Sequence, residues 1–508
     1  MRLIALILLF APLTSAFADS RDEPTKDGLA KLEKQLKTAH AKVGPAIACV
    51  VVSRSDKYPK PAKAPEPWQL GGFDRNAFLK ANPTQARLAD QLDLSNTETI
   101  PDHGFAGGLV VDSTGSVLTN YSTIEGATKI YVHLPGSKGS YAEIRAADKR
   151  SDLAVLTLLS PPGDLKPVRF GRVRLPANPD DAQATAFPGK LALLMIYPYA
   201  SAAVMDQPKA GLATIQGIRV PDSKKDSSIF SSIYNYAPVL EYEAKLNGGT
   251  SGAALLNLEG EVIGFTTAAT IPGGESGHGT ALPFDDNLVR IVEVLRRGEE
   301  VEYGFLGVTR PQFPQRGRGI PVENTTRGSP AAVAQIAPGD IISRINDHAV
   351  GTFEDLLLHV GSGLAGKTIK MRVERNGQKP RDVEVTLAKF KNEEPFIASV
   401  RPEPVFGLRV DYSSVLVQTL IFNPFGGRNN LVEIPAGVLV SELVPDSPAA
   451  VKFKALGENN RWVVTHVNGK STLTPPEFYK AARDQKSVKL TVYDPTDGFG
   501  RSREVILP

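Results

Sequence analysis

The sequence predicts a mainly β protein built from three folded units. Between residues 105 and 283, short apolar runs alternate with Gly, Pro, Asp and Ser, which is the spacing of a barrel or a sandwich. Two further units, at about 303–392 and 400–508, repeat one another and mix strand-like with helix-like segments. The length of 508 residues agrees with this division at roughly 150 residues per domain.

The composition excludes several classes of protein. A hydrophobic fraction of 42% with 22% charged residues is that of a globular chain and excludes a disordered or collagen-like one. The 58 basic and 55 acidic residues leave a net charge of +3, which gives no reason to expect nucleic-acid binding. Cys49 is the single cysteine, so an intramolecular disulfide and a cysteine-based metal site are impossible. With no metal-spaced histidine pair, we expect no metal and no cofactor.

The first 18 residues have the pattern of a secretory signal peptide. Arg2 precedes an apolar run over Leu3–Leu13, and Ala16-Phe17-Ala18 then forms a cleavage site, so cleavage is expected after Ala18. The run is too short for a membrane anchor, the alternative interpretation. We therefore expect a periplasmic or secreted protein with no membrane span after cleavage.

The segment 19–100 precedes the main β-rich unit. Its apolar spacing predicts an amphipathic helix over about 23–43, followed by a strand over 46–52. A Lys/Pro-rich stretch at 57–67 is typical of an exposed loop or linker, and we treat it as an insertion. At the far end of the β-rich unit, the pattern predicts a helix over 287–297 that is capped by Gly298.

The two C-terminal units share an ordered set of motifs. Each opens with a hydrophobic–Gly–hydrophobic element, at 306–308 and 406–408, and each continues into Ser-Pro-Ala-Ala, at 329–332 and 447–450. A strand and then a helix candidate follow, the helices at 353–360 and 476–483. This order resembles the PDZ domain in its circularly permuted bacterial form, with an insertion near 411–433 in the second copy.

The PDZ resemblance implies a peptide-binding function. Such a domain adds a peptide as a strand to an exposed edge and holds its terminal carboxylate in a nest of backbone N–H groups. By resemblance, the nests are formed by Phe305-Leu306-Gly307-Val308 and by Val405-Phe406-Gly407-Leu408. The alternative is a spacer or an oligomer contact with a closed groove.

Four further segments, in order, resemble a trypsin-like protease domain of the HtrA (Deg) family. They are Phe105–Asp112 with Gly115–Asn120, Lys149–Leu156, Ala244–Asn257, and the bridge from Asn287 to Val308. The resemblance implies a trypsin-like double β-barrel over 101–298, followed by two PDZ domains at 303–392 and 400–508. It also implies assembly as a homotrimer.

The protease chemistry carries over residue by residue, with one departure. Gly249-Thr250-Ser251-Gly252 matches the nucleophile turn, with Ser251 as the nucleophile and the N–H groups of Gly249 and Ser251 as the oxyanion hole. Asp152 matches the acid that orients the base. The base should be a histidine, but its position falls on Ser122, and a serine hydroxyl does not accept a proton near neutral pH.

This departure predicts an HtrA-like pseudoprotease of envelope protein quality control. Its partners would be unfolded segments or C-terminal peptides of envelope proteins, captured by the PDZ domains. One alternative is an active serine endopeptidase that uses Ser251 with an unconventional base, for which His278 is the candidate histidine. A third hypothesis is a purely structural component of an oligomer.

Overall fold

A computed structural model covers the chain. It describes the residues of fifteen stretches, to which all structural statements below refer: 26–54, 104–175, 183–197, 207–219, 237–244, 251–266, 278–309, 319–346, 348–361, 363–375, 377–392, 396–421, 435–457, 461–495 and 501–508. The predicted signal peptide, the Lys/Pro-rich stretch and Gly249 lie outside them.

The first barrel contains six antiparallel strands. Their order around the barrel is β1-β2-β3-β6-β5-β4, and the β5–β6 pairing closes it. The short helix α2 (Tyr121–Ile124) lies between β3 and β4. The strands are β1 (Ile47–Ser53), β2 (Phe105–Val110), β3 (Ser116–Thr119), β4 (Lys129–Leu134), β5 (Lys138–Asp148) and β6 (Leu153–Leu158).

The second barrel is also closed and has the order β10-β11-β12-β9-β8-β7. Its interior is filled by alternate strand residues such as Leu194, Ile215 and Leu240. The strands are β7 (Leu191–Ile196), β8 (Lys209–Arg219), β9 (Val239–Ala244), β10 (Ala254–Leu256), β11 (Val262–Thr266) and β12 (His278–Pro283).

The strand β1 explains how the two barrels come to share a core. Every residue of its sequence IACVVVS is buried, because the two faces of the strand pack against different apolar clusters. Ala48 and Val50 point into the first barrel, whereas Ile47 and Cys49 point into a cluster that also contains Met195 of the second barrel. The single cysteine is therefore a buried packing residue.

Two helices flank these barrels, close to where the sequence predicts them. Helix α1 (Lys26–Val43) buries its C-terminal residues, while Leu29 at its other end is 52% exposed. Helix α3 (Asp286–Arg297) begins where the Asp285 carboxylate accepts the N–H groups of residues 287 and 288. It ends at Gly298, whose φ of 84° is the left-handed conformation of a helix C-cap.

The first PDZ unit is a small sheet with the order β15-β17-β19-β20 and β18 paired to β17, beside two strand pairs, β13-β21 and β14-β16. Its elements are β13 (Gly304–Phe305), β14 (Val308–Thr309), β15 (Ile320–Pro321), β16 (Asn324–Thr325), α4 (Pro330–Val333), β17 (Asp340–Ile345), β18 (His348–Ala349), α5 (Phe353–Leu356), β19 (Thr368–Arg375), β20 (Arg381–Thr386) and β21 (Ala388–Lys389). The predicted helix over 353–360 continues beyond α5 as a π-helical turn, Leu357–Gly361.

The second PDZ unit has the sheet order β23-β24-β25-β27-β28, with β26 paired to β25. The described part of the predicted insertion is a helix, α6. The elements are β23 (Leu408–Tyr412), α6 (Ser413–Ile421), β24 (Val438–Leu443), α7 (Pro448–Leu456), β25 (Val463–Val467), β26 (Lys470–Ser471), α8 (Pro475–Ala482), β27 (Val488–Tyr493) and β28 (Ser502–Leu507).

The repeated Ser-Pro-Ala-Ala motif has one physical role in both units. Ser329 and Ser447 are helix N-caps, and their hydroxyls accept the N–H groups of Ala332 and Ala450 at 3.3 and 3.2 Å. The proline that follows each serine occupies the first helical turn, where its missing N–H costs nothing. The motif is therefore a helix start, and its recurrence agrees with an internal duplication.

The three units are joined through one buried lysine. Lys389 Nζ lies 2.8 Å from Glu300 and 3.1 Å from Asp411, so it links the end of the barrels to both PDZ units. Its carbonyl accepts hydrogen bonds from Ser414 Oγ and Gln418 Nε2, both on helix α6. The segment between the two PDZ units also contacts the barrels, because its strand β22 (Phe396–Ala398) pairs with β5.

The described architecture confirms the predicted fold class, which is mainly β with a trypsin-like double barrel and C-terminal PDZ units. The barrel begins earlier than the sequence-based boundary at residue 101, because β1 pairs with both β2 and β4. None of the described helices has the length and apolar character needed to cross a membrane.

The barrels meet at two glycines. A Cβ atom on Gly107 would lie 2.4 Å from the carbonyl oxygen of Gly252, and a Cβ on Gly252 would lie 2.3 Å from that of Gly107. Both atoms are backbone, so neither can move aside without shifting a strand. The N–H of Gly107 also donates to the Ser251 carbonyl at 2.8 Å, which fixes one barrel on the other.

We expect Gly107→Ala to lower the free energy of unfolding by about 3 kcal/mol, because the new methyl overpacks a backbone contact. Urea denaturation measures the loss. The control is Gly163→Ala, an exposed glycine whose Cβ would meet no atom within 4 Å, with a change of under about 0.5 kcal/mol. Equal stability of the two variants would show that the glycine contact does not hold the barrels together.

Candidate functional site

The candidate site lies between the barrels and begins with Asp152. This residue precedes β6 in a left-handed conformation, with φ of 52°, and its carbonyl accepts the N–H of Tyr121 at 3.0 Å. Its carboxylate Oδ1 accepts the N–H of Ser122 at 2.8 Å. The structure therefore brings Asp152 and Ser122 together, with Ser122 exposed beside the carboxylate.

Ser251 reaches the same place from the second barrel, but its hydroxyl bonds to an amide. Ser251 Oγ donates to Asn120 Oδ1 at 2.9 Å. Asn120 Nδ2 in turn lies 3.4 Å from Asp152 Oδ2 and 3.5 Å from the Thr266 carbonyl. Asn120 is fully buried, so these bonds fix its amide between the serine and the carboxylate.

The result is a hydrogen-bonded chain, Ser251–Asn120–Asp152, in which the Asn120 amide lies between the serine hydroxyl and the aspartate carboxylate. An amide oxygen accepts a hydrogen bond but has no basicity near neutral pH, so it cannot take up the serine proton. Sequence reasoning did not single out Asn120. The available signal was its place directly after Thr119, two residues before the position of the expected base.

The Asp152 carboxylate is unusually hard to ionise. Burial raises its pKa to about 6 from an ordinary value of 3.8, and the hydrogen bonds from Ser122 and Asn120 offset only part of that effect. No cation is among the causes of the shift, so burial decides its direction. A neighbouring imidazolium would have lowered this pKa instead.

The nucleophile turn is described from Ser251 onward. Gly252 has φ of 74° and its N–H donates to the Thr266 carbonyl at 3.1 Å, while Ala253 N–H donates to Thr266 Oγ1 at 2.7 Å. Ala253 thus fits the turn without distorting this pairing. Gly249, the other predicted oxyanion-hole residue, lies outside the described residues.

The described histidines do not supply a base to Ser251 through any hydrogen bond. His278 begins β12 and is exposed, three residues before Ala281, which pairs with Thr266. It is therefore about 10 Å along the strand from the nucleophile turn. His133, on β4, is buried and packs against Tyr131, with ring centroids 4.5 Å apart.

The predicted nest of the first PDZ unit forms a tight loop. Gly307 has φ of 83°, and a Cβ there would lie 2.2 Å from the Ser329 side chain, so only glycine fits. The carbonyls of Gly307 and Thr309 accept N–H groups of the neighbouring segment, from Thr326 and Glu323. Because strand groups alternate, the N–H and carbonyl of Val308 face the opposite side, where a peptide strand would add. Phe305 pairs with β21, and Leu306 is buried in the core of the unit.

The nest of the second PDZ unit has the same glycine geometry but is occupied by its own chain. Gly407 has φ of 84° and packs against Ser447, as Gly307 packs against Ser329. Phe406 is also left-handed, with φ of 55°. The N–H and carbonyl of Leu408 both bond to Val405, at 2.9 and 3.0 Å.

Among the described residues, no group of three His, Cys, Asp or Glu side chains could hold a metal ion.

Two known families match this chain. Residues 106–265 match the family described as a trypsin-like peptidase domain, and residues 304–387 match the PDZ domain. The fold and the site therefore define a trypsin-like peptidase unit joined to PDZ domains.

Several curated proteins are similar to this chain over much of its length. A probable periplasmic serine endoprotease, DegP-like, from Hahella chejuensis is 26% identical over 383 residues, which is 73% of this chain and 74% of the relative. The periplasmic pH-dependent serine endoprotease DegQ from Escherichia coli is 30% identical over 58% of this chain and 62% of its own length. A solved structure, the HtrA-type protease AlgW with decapeptide, covers 73% of this chain and 99% of its own at 21% identity and a TM-score of 0.44. The chain is thus similar to serine endoproteases of the DegP and DegQ type, and it contains the matched trypsin-like peptidase and PDZ domains.

The raised pKa of Asp152 predicts a pH-dependent contribution to stability. Between about pH 4 and 6 the folded protein keeps a proton that the unfolded chain has lost, so this carboxyl group destabilises the fold as pH rises through that range. Relative to Asp152→Asn, the chain should lose about 1–2 kcal/mol of unfolding free energy from pH 4 to 6.5, measured by urea denaturation.

The control for this measurement is Asp164→Asn. Asp164 is exposed and its pKa is lowered by Lys138. Any contribution of this carboxyl group to stability therefore increases as pH rises, opposite to that of Asp152. A stability difference between the native chain and Asp152→Asn that does not change with pH would show that the Asp152 pKa is ordinary.

Proposed function

We propose that this chain is an HtrA-like pseudoprotease of envelope protein quality control, which binds unfolded segments or C-terminal peptides through PDZ domains. The observation that carries the proposal is the hydrogen bond from Ser251 Oγ to the Asn120 amide, with Ser122 in the place of the base. The protease unit keeps its fold, its nucleophile position and its acid, while the proton acceptor between them is absent from this arrangement.

The energetic consequence is large. Loss of one member of a catalytic triad costs about 10⁴–10⁶ in turnover, and binding with the oxyanion hole alone retains about 10³–10⁴ over water. Such a remainder does not support a useful protease. Asp152 with a pKa near 6 does not compensate, because its carboxylate contacts the amide nitrogen of Asn120 and the N–H of Ser122.

The first PDZ unit supports the binding half of the proposal. Val308 presents its N–H and carbonyl on the side of β14 away from β16, which is the arrangement that β-augmentation requires. The Gly307 loop beside it is held by Ser329 and by the Ala331 N–H, which donates to the Leu306 carbonyl at 3.0 Å. A fixed loop loses little entropy when a carboxylate binds.

The proposed compartment is the periplasm. The curated relatives described above carry periplasmic in their names, and the sequence predicts a signal peptide cleaved after Ala18. Neither the names of the relatives nor the predicted signal peptide depends on the interpretation of the site around Ser251. Assembly as a homotrimer remains a proposal from the family resemblance alone.

An active serine endopeptidase is the alternative function. Two observations favour it: the relatives are named serine endoproteases, and Ser251 and Asp152 both occupy the site. This alternative needs a base that makes no described hydrogen bond to Ser251, and His278 is the candidate. The third hypothesis, a structural component of an oligomer, shares the silent site but predicts no peptide capture.

The mature protein should leave β-casein intact over many hours, as Ser251→Ala does, because Ser251 has no group to deprotonate it. Gel electrophoresis with mass spectrometry of the products measures this. If the native chain cleaves casein and the Ser251→Ala variant does not, the chain is an endopeptidase instead. His278→Ala then tests whether that histidine is the base.

The Ser122→His variant locates the defect. An imidazole at this position would stand beside Asp152, which accepts the N–H of the same residue at 2.8 Å. Because only the base is missing in our account, we expect Ser251-dependent casein cleavage to appear, with Ser122→Ala as the control. A Ser122→His chain that folds and stays inactive would show that the Asn120 contact also disables Ser251.

A further inference from the structure

The strand β23 of the second PDZ unit lies at the edge of its sheet, so one side of it has no strand partner within the unit. Gly407 directs its carbonyl to the β24 side, where it accepts the N–H of Val444 at 2.9 Å. By alternation, Leu408, Val410 and Tyr412 face the outer side. This is the side on which a PDZ domain accepts a peptide.

Each of these three outward N–H groups already has an acceptor from the same chain. Leu408 N–H donates to the Val405 carbonyl at 2.9 Å, and Tyr412 N–H donates to the carboxylate of Asp411 at 2.7 Å. Val410 N–H donates to the hydroxyl oxygen of Tyr479 at 3.2 Å. The edge that should receive a peptide strand is therefore satisfied internally.

Tyr479 is held firmly in this place. It lies on α8, whose first turn is fixed by two side-chain hydrogen bonds: Thr474 Oγ1 accepts the N–H of Glu477, and the Glu477 carboxylate accepts the N–H of Leu473. The Tyr479 ring is 8% exposed and packs edge-on against Phe478 in the core. Its hydroxyl occupies the position at which a peptide carbonyl would meet Val410.

The surroundings of this edge also differ from those of a free groove. Val410 and Tyr479 line a cleft of about 570 Å³ that is also lined by Glu300, Glu302 and Lys389. These three residues belong to the end of the barrels and to the first PDZ unit. A peptide would therefore enter between domains that the Lys389 ion pairs hold together.

The first PDZ unit has no corresponding hydroxyl. Counting from the capping threonines Thr352 and Thr474, the residue that matches Tyr479 is Leu357, which carries no hydrogen-bonding group. Its side chain packs against the core shared by the barrels. The two duplicated units thus differ at this helix position, where Tyr479 caps the Val410 N–H at the middle of the edge strand and Leu357 offers no such group.

We infer that the second PDZ unit contains a latent binding site for an extended peptide, and that Tyr479 is the residue that keeps it closed. The native chain then binds one peptide, in the first unit, and loss of the Tyr479 hydroxyl opens a second site. The inference rests on the proposed function for the first unit, but the state of the Tyr479 contact can be measured without any peptide.

The test uses Tyr479→Phe in the full mature chain, which removes the hydroxyl and keeps the ring. The control is Tyr493→Phe in β27, separated from β23 by β24 and β25. Hydrogen exchange with mass spectrometry follows segments 305–309 and 408–412, alone and with a decapeptide that ends in a free valine carboxylate. A C-terminally amidated decapeptide controls for carboxylate recognition.

Without peptide, Val410 in Tyr479→Phe should exchange about tenfold faster than in the native chain and in Tyr493→Phe, because its acceptor is lost. With the free-acid decapeptide, segment 305–309 should be protected in all three chains, and segment 408–412 only in Tyr479→Phe. The stoichiometry by calorimetry should rise from one to two in that variant alone.

Three results overturn the inference. Protection of 408–412 in the native chain would show that the edge is open, and protection confined to 305–309 in every chain would show that Tyr479 guards no site. The second result leaves the proposed function standing. If instead Val410 exchange accelerates but 305–309 is never protected, the peptide-binding proposal fails while the Tyr479 contact is confirmed, and the latent site is rejected with it.

Discussion

The close contact between Gly107 and Gly252 is the constraint on which the site depends. These residues bring a strand of the first barrel and the nucleophile turn of the second into backbone contact, where a single methyl group on either would collide with a carbonyl oxygen. The Gly107 N–H then donates to the Ser251 carbonyl, so the position of Ser251 is set by the backbone of the opposite barrel. Asn120 and Asp152 come from that same barrel. Hence the backbone of the first barrel sets both the position of Ser251 and the positions of the two residues that it faces.

A second constraint joins the binding units to this core. Lys389 has three carboxylates around it, and burial raises the pKa of Glu302 to about 7 even with the lysine beside it. Removing Lys389 would leave buried acids without their cation, which is strongly unfavourable. The Gln418 side chain adds to this junction. Its amide oxygen accepts the Lys391 N–H and its amide nitrogen donates to the Lys389 carbonyl, so the side chain makes the two backbone hydrogen bonds that a paired strand would make. The edge strands of the two PDZ units differ in their surroundings. In the first unit, the N–H and carbonyl of Val308 face away from β16, whereas in the second unit β23 lines the interdomain cleft.

Much of this could be predicted from sequence because local rules dominate. Period-2 and period-3.6 patterns predicted the β-rich units and α1, Gly298 predicted the end of α3, and the repeated Ser-Pro-Ala-Ala motif marks the helix starts at Ser329 and Ser447. Asn120 and Tyr479 were missed because their roles depend on partners 131 and 69 residues away, which no local pattern reports. Simple alternation along β4 would leave one face of the strand in solvent, but His133 is buried because both faces of the strand are largely covered. The roles of Ser251 and Asp152 were assigned by resemblance and remain proposals.

The central claim is that Ser251 is held as a hydrogen-bond donor and is not activated as a nucleophile. The most direct measurement is the rate at which a fluorophosphonate probe labels the folded mature chain, with Ser251→Ala as the blank and trypsin as the positive control. Our account predicts labelling of the native chain at the rate of the blank at every pH from 5 to 9, because neither Asn120 nor Ser122 can accept the proton. Labelling that depends on Ser251 and rises with pH through a single ionisation would contradict it, and would identify a working base in this site.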